Sequence, residues 1–161
     1  MDDRRAGIRR HELYAFRFER IWVLEDDSTK RWAKAFLIAP AIRVIFELSL
    51  LALDKSCDEI HLPQKGVSAK HKENVSYVHS LFKNNKFQDY LQAGRIVFDT
   101  FQEAHNVIEN TDFGESVEYS SLGSHKSMKD YDIDTIMRLS NDAVLFAMLC
   151  QQYVQFKKQG V

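Results

Sequence analysis

Between Ser28 and about Leu53 the chain reads STKRWAKAFLIAPAIRVIFELSLLAL, a run whose apolar residues fall on nearly every face of a helix. Trp32, Phe36, Ala39, Ile42, Phe46 and Leu50 recur at three- and four-residue intervals, and Asp27 or Ser28 supplies an oxygen for the exposed N–H groups of a first turn. A helix that is apolar all round has to be enclosed by protein or by lipid. Lys34, Arg43 and Glu47 interrupt this one, and a Lys or Arg at a bilayer centre costs about 2.5–3.5 kcal/mol on the insertion scale. The segment is therefore expected at the centre of a helical bundle and not across a membrane. Pro40 removes one ladder hydrogen bond and should kink the helix or break it near Ala39.

The remaining segments read as helices that cover this one. Six Gly and two Pro in 161 residues leave few places to stop a helix. Helices are expected from about Ala69 to Lys83 and from Lys86 to Asn110, with Asn84-Asn85 as punctuation. Val75, Val78, Leu81 and Phe82 mark the apolar face of the first; Phe87, Leu91, Val97, Phe98, Phe101 and Val107 mark that of the second. A last helix is expected from Ile133 to Lys157, where the stripe of Ile136, Ala143, Ala147, Cys150 and Val154 includes small residues that admit a close neighbour. HELYAFRFERIWVLEDD, residues 11–27, suits a helix through Tyr14, Phe18, Ile21 and Trp22, while Tyr14, Phe16 and Phe18 also alternate as in a strand. Helix is preferred, because no second strand is visible to pair with it. Loops are expected from about Lys55 to Ser68 and over residues 111–130, TDFGESVEYSSLGSHKSMKD, a stretch rich in Gly, Ser and charge.

These segments predict one all-α domain over residues 1–161, an up-and-down bundle of four or five helices with a long loop before the last helix. Residues 1–10, MDDRRAGIRR, are expected to form a flexible basic arm, and they carry no apolar run of the kind a secretory signal needs. Small residues on the last helix and the apolar girth of the central one favour a homodimer.

Twenty-two Lys+Arg against 23 Asp+Glu give a formal charge of -1, so binding to nucleic acid or an anionic membrane would have to use a local patch. Cys57 and Cys150 form no CxxC pair, which makes a reducing, cytoplasmic location the simpler expectation. Histidines stand at 11, 61, 71, 79, 105 and 125, and no two share the i, i+4 spacing that puts both rings on one helix face. His71 and His79 are two turns apart, roughly 12 Å at 1.5 Å per residue. Cys57 and His61 have a chelating spacing but no second pair beside them. His105 and Glu109 are expected to decorate a helix surface. No metal and no cofactor is expected, and no GxGxxG, GxxxxGK[ST] or GxSxG occurs.

Charge is nevertheless segregated along the chain. Asp99, Glu103, Glu109, Asp112, Glu115 and Glu118 form an acidic span without Lys or Arg. The Glu pairs with which a helical pyrophosphatase holds Mg²⁺ are not visible in it, so a solvated acidic face is expected. Lys65, Lys70, Lys72, Lys83 and Lys86 form a basic span against Glu73 alone. It is either a phosphate-binding face, with Lys70 and Lys72 as ligands, or the counter-charge of the acidic span within one chain or across a dimer. Arg43 and Glu47 stand four apart inside the most apolar helix and are natural mutual partners. The functional alternative has Arg43 facing a cleft and gripping phosphate or carboxylate, oriented by Glu47.

An apolar helix with an Arg-x-x-x-Glu core at Arg43 to Glu47, a helical hairpin, a Tyr-x-x-Leu-x-x-His turn from Tyr119 to His125 and a final helix together resemble the HEPN superfamily over roughly residues 28–157. The resemblance implies an all-α, commonly dimeric domain and, in many members, a metal-independent ribonuclease of toxin–antitoxin, abortive-infection or CRISPR systems. Its hallmark is an Arg, four to six intervening residues, then a His at the dimer cleft. The His exchanges protons with a ribose 2′-OH or the leaving oxygen, and the Arg stabilises charge on the phosphate. Here the positions before His125 that should hold the Arg are Glu118, Tyr119 and Ser120. The resemblance therefore implies a degenerate domain of a prokaryotic or phage conflict system that binds RNA, a nucleotide or a cognate protein partner. An active ribonuclease using His125, Tyr119 and Arg43 is the main alternative. A non-enzymatic adaptor or inhibitor, whose segment from Thr111 to Asp130 orders on a partner, is the third.

Overall fold

The computed structural model describes residues 38–63, 71–94, 98, 100–122 and 133–160. Among them are six helices and no strand: α1 (Ala39–Ser56), α2 (His71–Phe82), α3 (Asn85–Gly94), α4 (Phe101–Asn110), α5 (Phe113–Leu122) and α6 (Ile133–Lys158). The all-α bundle expected from the spacing of apolar residues is what the chain forms.

The axis of the bundle is α6, whose 26 residues span about 39 Å at 1.5 Å per residue. It buries Ile136, Leu139, Ala143, Phe146, Leu149, Cys150, Tyr153 and Phe156. Against it lies the inner face of α1, made by Ala39, Ile42, Phe46, Leu50 and Leu53. The rings of Phe46 and Phe146 pack at a tilt with centroids 5.2 Å apart, and Lys157 Nζ donates to Glu59 Oε2, just past the end of α1, at 2.8 Å. These two contacts, one midway and one at the far end, make α1 and α6 run in the same direction. Antiparallel to α6 lies α5, for Phe113 sits 5.4 Å from Phe146 while Ser116 Oγ donates to Asp142 Oδ2, one turn earlier on α6, at 2.5 Å. It packs equally closely on α2, where a Cβ on Gly114 would lie only 2.6 Å from Ser76 Oγ, so glycine permits the approach. Phe82 of α2 reaches Phe146 and Tyr153, and Phe87 of α3 packs edge-on against Tyr153 at 5.0 Å. Phe46, Phe82, Phe87, Phe113 and Phe146 are fully buried, which makes the centre of this core aromatic.

Local chemistry explains where the elements begin and end. Pro40 stands in the first turn of the described part of α1, where a missing N–H costs least. Asn84 divides α2 from α3 as its sequence suggests, its Oδ1 accepting the Lys86 N–H at 2.9 Å. Two expectations are corrected. The single helix expected from Lys86 to Asn110 is two: α3 ends at Gly94, and Thr100 caps α4 by accepting the Glu103 N–H at 3.1 Å. The loop expected over residues 111–130 contains α5, begun by Asp112 Oδ1 accepting the Glu115 N–H at 2.9 Å and anchored by fully buried Phe113 and Val117. The basic arm at residues 1–10, the helix expected at residues 11–27 and the first ten residues of the central helix lie outside the described residues. Among the described residues no helix is long and apolar enough to cross a membrane.

Candidate functional site

The ends of α1, α2 and α5 bring charged side chains together at one rim of the bundle. Arg43 and Glu47 are one helical turn apart on α1, and Arg43 Nε donates to Glu47 Oε1 at 2.6 Å. His71, the first residue of α2, places its Nε2 3.1 Å from the same carboxylate oxygen. One oxygen thus holds both a guanidinium and an imidazole. Their side chains are 40%, 33% and 25% exposed for Arg43, Glu47 and His71, so these charges sit at the polar edge of an otherwise apolar helix and escape the desolvation cost of a buried ion pair. Arg43 engages Glu47 through Nε, and the terminal nitrogens of its guanidinium form the planar fork that matches a phosphate or carboxylate.

The next residue of α2 carries the cluster on to α5. Lys72 Nζ donates to Glu118 Oε2 at 2.5 Å, and that hydrogen bond, followed by the charge of Glu118, holds the ammonium above its ordinary pKa. Glu118 thus draws a lysine of the basic span to itself. Beside it, Tyr119 is half-buried with its ring against the core. At the other end of α2, Lys83 Nζ donates to Glu109 Oε2 at 2.7 Å and pulls that carboxyl below its usual value. The basic and acidic spans therefore neutralise each other within one chain at both described contacts between them.

Of the residues singled out in the sequence, Arg43, Glu47, Lys72 and Tyr119 come to this rim, while Lys70 and His125 lie outside the described residues. His71 joins the rim without having been singled out as a ligand. The signal for it was weak: a histidine between Lys70 and Lys72, with nothing local to show that it meets a helix 24 residues earlier.

Two of the other histidines, His79 and His105, have structural partners. His79 Nε2 donates to the Ile108 carbonyl at 2.6 Å, and burial pushes the His79 pKa down. His105 Nδ1 meets Gln88 Oε1 at 3.1 Å while its ring stacks on Phe101, so it ties α4 to α3 where a surface decoration was expected. Cys57 is buried and His61 is exposed, which separates that chelating pair. Among the described residues no group of three or more His, Cys, Asp or Glu is arranged to hold a metal ion.

No family model matches the sequence, and no curated protein and no solved structure shows significant similarity to it.

Proposed function

We propose that this chain is a HEPN-like helical bundle that binds a phosphate-bearing ligand, RNA or a nucleotide, at the rim where α1, α2 and α5 meet. The observation that supports it is the shared carboxylate: Glu47 fixes Arg43 and His71 side by side. A carboxylate that accepts the Nε–H fixes the guanidinium plane and leaves the terminal N–H fork for a phosphate. The imidazole adds a second donor, and a positive charge when it is protonated. Lys72, although tied to Glu118, adds positive potential along the same edge.

The ribonuclease reading gains from the same arrangement. His71 turns its Nε2 toward Glu47 Oε1 at 3.1 Å, which leaves Nδ1 as the ring nitrogen available to a ligand. That nitrogen is suited to take the proton from a ribose 2′-OH as the oxygen attacks phosphorus, with Arg43 stabilising the charge that builds on the phosphate. Cleavage then yields a 2′,3′-cyclic phosphate and a 5′-oxygen that takes up a proton, the role the HEPN resemblance gives to His125, with Tyr119 beside the reacting groups. Neither reading requires a metal. A homodimer, a cytoplasmic location, a cognate protein partner and a place in a prokaryotic or phage conflict system complete the proposal.

The test is metal-free incubation of the purified protein with total RNA and tRNA, with mapping of cleaved ends, beside anisotropy titrations of a labelled oligonucleotide at two salt concentrations. Arg43→Ala and His71→Ala are each expected to weaken binding by about 10-fold or more, the size of one charge-assisted hydrogen bond. Loss of cleavage in His125→Ala at retained binding, or a loss of turnover at saturating RNA in His71→Ala beyond its weaker binding, would establish the enzyme. Folded variants that bind as wild type would remove this rim from consideration.

A further inference from the structure

One carboxylate oxygen at the rim serves two basic groups of different kind. Arg43 Nε donates to Glu47 Oε1 at 2.6 Å, and His71 Nε2 lies 3.1 Å from the same oxygen. The guanidinium is charged at every working pH, whereas imidazole is the side chain that ordinarily gains or loses its charge between pH 5 and pH 8. Which of the two takes up the carboxylate's charge is therefore set by a proton.

The surrounding charges make that proton decisive. With a neutral ring, Glu47 cancels the charge of Arg43, and the pair offers an incoming anion no net attraction. The neighbours of α2 at this end are α1, which brings Arg43 and Glu47, and α5, which carries Glu115, Glu118 and Tyr119. Lys72, next to His71 on α2, is engaged by Glu118, and Asp112 and Glu115 lie near enough to act on the same ammonium. Glu73 follows it in the sequence. Among the described residues of the rim, carboxylates thus outnumber the fixed cations Arg43 and Lys72. Protonation of one ring reverses the local sign at Arg43. The imidazolium donates to Glu47 as an ion pair, a stronger hydrogen bond than the neutral ring makes. The cluster of Arg43, Glu47 and His71 then carries a net positive charge. All three side chains are partly exposed, so both the proton and a ligand have access to them.

We propose that anion binding at this rim is proton-gated: protonated His71 engages Glu47, and the charge of Arg43 is released to a phosphate diester. The proposal rests on the reading of the rim as a phosphate site and adds its regulation. An anion that favours the protonated ring binds fully below the histidine range and loses that gain as pH rises through it. In the ribonuclease reading the ring must be neutral to act as a base, so tightest binding and fastest turnover fall at different pH.

The probe is a labelled oligouridine, whose diester phosphates and uracils keep one charge state between pH 5.5 and pH 8. It is titrated by anisotropy at fixed ionic strength, with far-ultraviolet dichroism confirming the fold at each pH. Wild type is expected to bind about 10-fold more tightly at pH 5.5 than at pH 8, the effect of one charge-assisted hydrogen bond. His71→Gln keeps a donor for Glu47 and cannot take up the proton, so it should bind at both pH values as wild type does at pH 8. Glu47→Gln removes the charge that cancels Arg43, and at pH 8 it should bind about as tightly as wild type does at pH 5.5. No binding by wild type at either pH would overturn the phosphate reading itself. Equal wild-type binding at the two pH values, or a rise that persists in His71→Gln, would leave that reading standing and overturn the gate. So would Glu47→Gln binding no more tightly than wild type at pH 8.

Discussion

The two faces of α1 are built from the same kinds of residue and meet opposite fates. Ala39, Ile42, Phe46, Leu50 and Leu53 are at most 3% exposed, while Val44, Leu48 and Leu51, on the same helix, are about half exposed. Both faces create the same demand for burial, at about 25 cal/mol per Å² of apolar area. Only the inner face has that demand met by helices in the described bundle, chiefly α6, with α5 and α2 at its flanks. Apolar girth in a sequence thus states how much cover a helix needs and not which element supplies it.

The largest effect should come from cutting into the covered side. Phe146→Ala removes a ring that touches Phe46, Phe82 and Phe113 and should cost about 3–5 kcal/mol in denaturant unfolding. Leu48→Ala separates the two views of the uncovered side. It should stay within about 0.5 kcal/mol of wild type if that face is solvated. It should cost about 2 kcal/mol or more if further protein covers it.

The next effect concerns a polar pair held inside the covered region. Ser116 is fully buried on α5 and donates to Asp142 on α6. Burial pushes the Asp142 carboxyl above its ordinary pKa, against the opposing pull of the Ser116 hydrogen bond and of Arg138. A carboxyl whose folded pKa is raised stabilises the fold fully below the ordinary aspartate range and loses that contribution as pH rises through the folded value. Asp142→Asn keeps an acceptor for Ser116 and removes the charge. It should therefore stabilise the protein at pH 7, on the order of 1 kcal/mol, with the gain vanishing near pH 3. Equal stabilities at pH 7 would mean that the carboxylate is better solvated than its burial implies.

His79 should respond in the opposite sense. Its pKa is lowered chiefly by burial, so the neutral ring that donates to the Ile108 carbonyl is the form the fold prefers. The stability it contributes is present above the ordinary histidine value of 6.5 and is lost as pH falls through the folded value. Between pH 7 and pH 5 the unfolding midpoint should drop in wild type and drop less in His79→Gln, which retains a donor. A two-dimensional NMR titration that finds His79 protonating at or above its ordinary value would contradict this.

The contrast between covered and uncovered surfaces also explains what the sequence made legible. Helices α1, α2 and α6 carry large apolar residues at regular spacing and were recognisable, as was the Asn84-Asn85 division. The turn between α3 and α4 was hidden because Phe87, Leu91, Phe98 and Phe101 keep a helix-compatible rhythm across it, although Thr100-Phe101-Gln102-Glu103 already held the capping pattern. In FGESVEYSSL, the sequence of α5, Ser116 and Ser120 are buried beside Phe113 and Val117. Those hydroxyls find partners in Asp142 and the Val117 carbonyl, so buried residues looked like loop residues. At the rim, the Arg43–Glu47 pair followed from local spacing, whereas His71 arrives through tertiary contact, which no single-segment pattern encodes.

The smallest effect on stability should be the most informative about function, because it lies on the border between the two faces of α1. Arg43 is 40% exposed and paired through one nitrogen, so Arg43→Ala should cost at most about 1 kcal/mol, as partly exposed ion pairs do. Its loss leaves Glu47 with His71 alone, and the unbalanced carboxylate should then repel a phosphate that the guanidinium had attracted. Arg43→Lys sharpens the point. Lysine keeps the charge but lacks the planar fork, so it should restore the salt-dependent part of RNA binding and leave the remainder impaired. Full recovery by lysine would reduce Arg43 to a point charge on a polar edge. Unfolding by Arg43→Ala, measured against the near-silent change expected, would instead make the Arg43–Glu47–His71 cluster a structural clasp between α1 and α2.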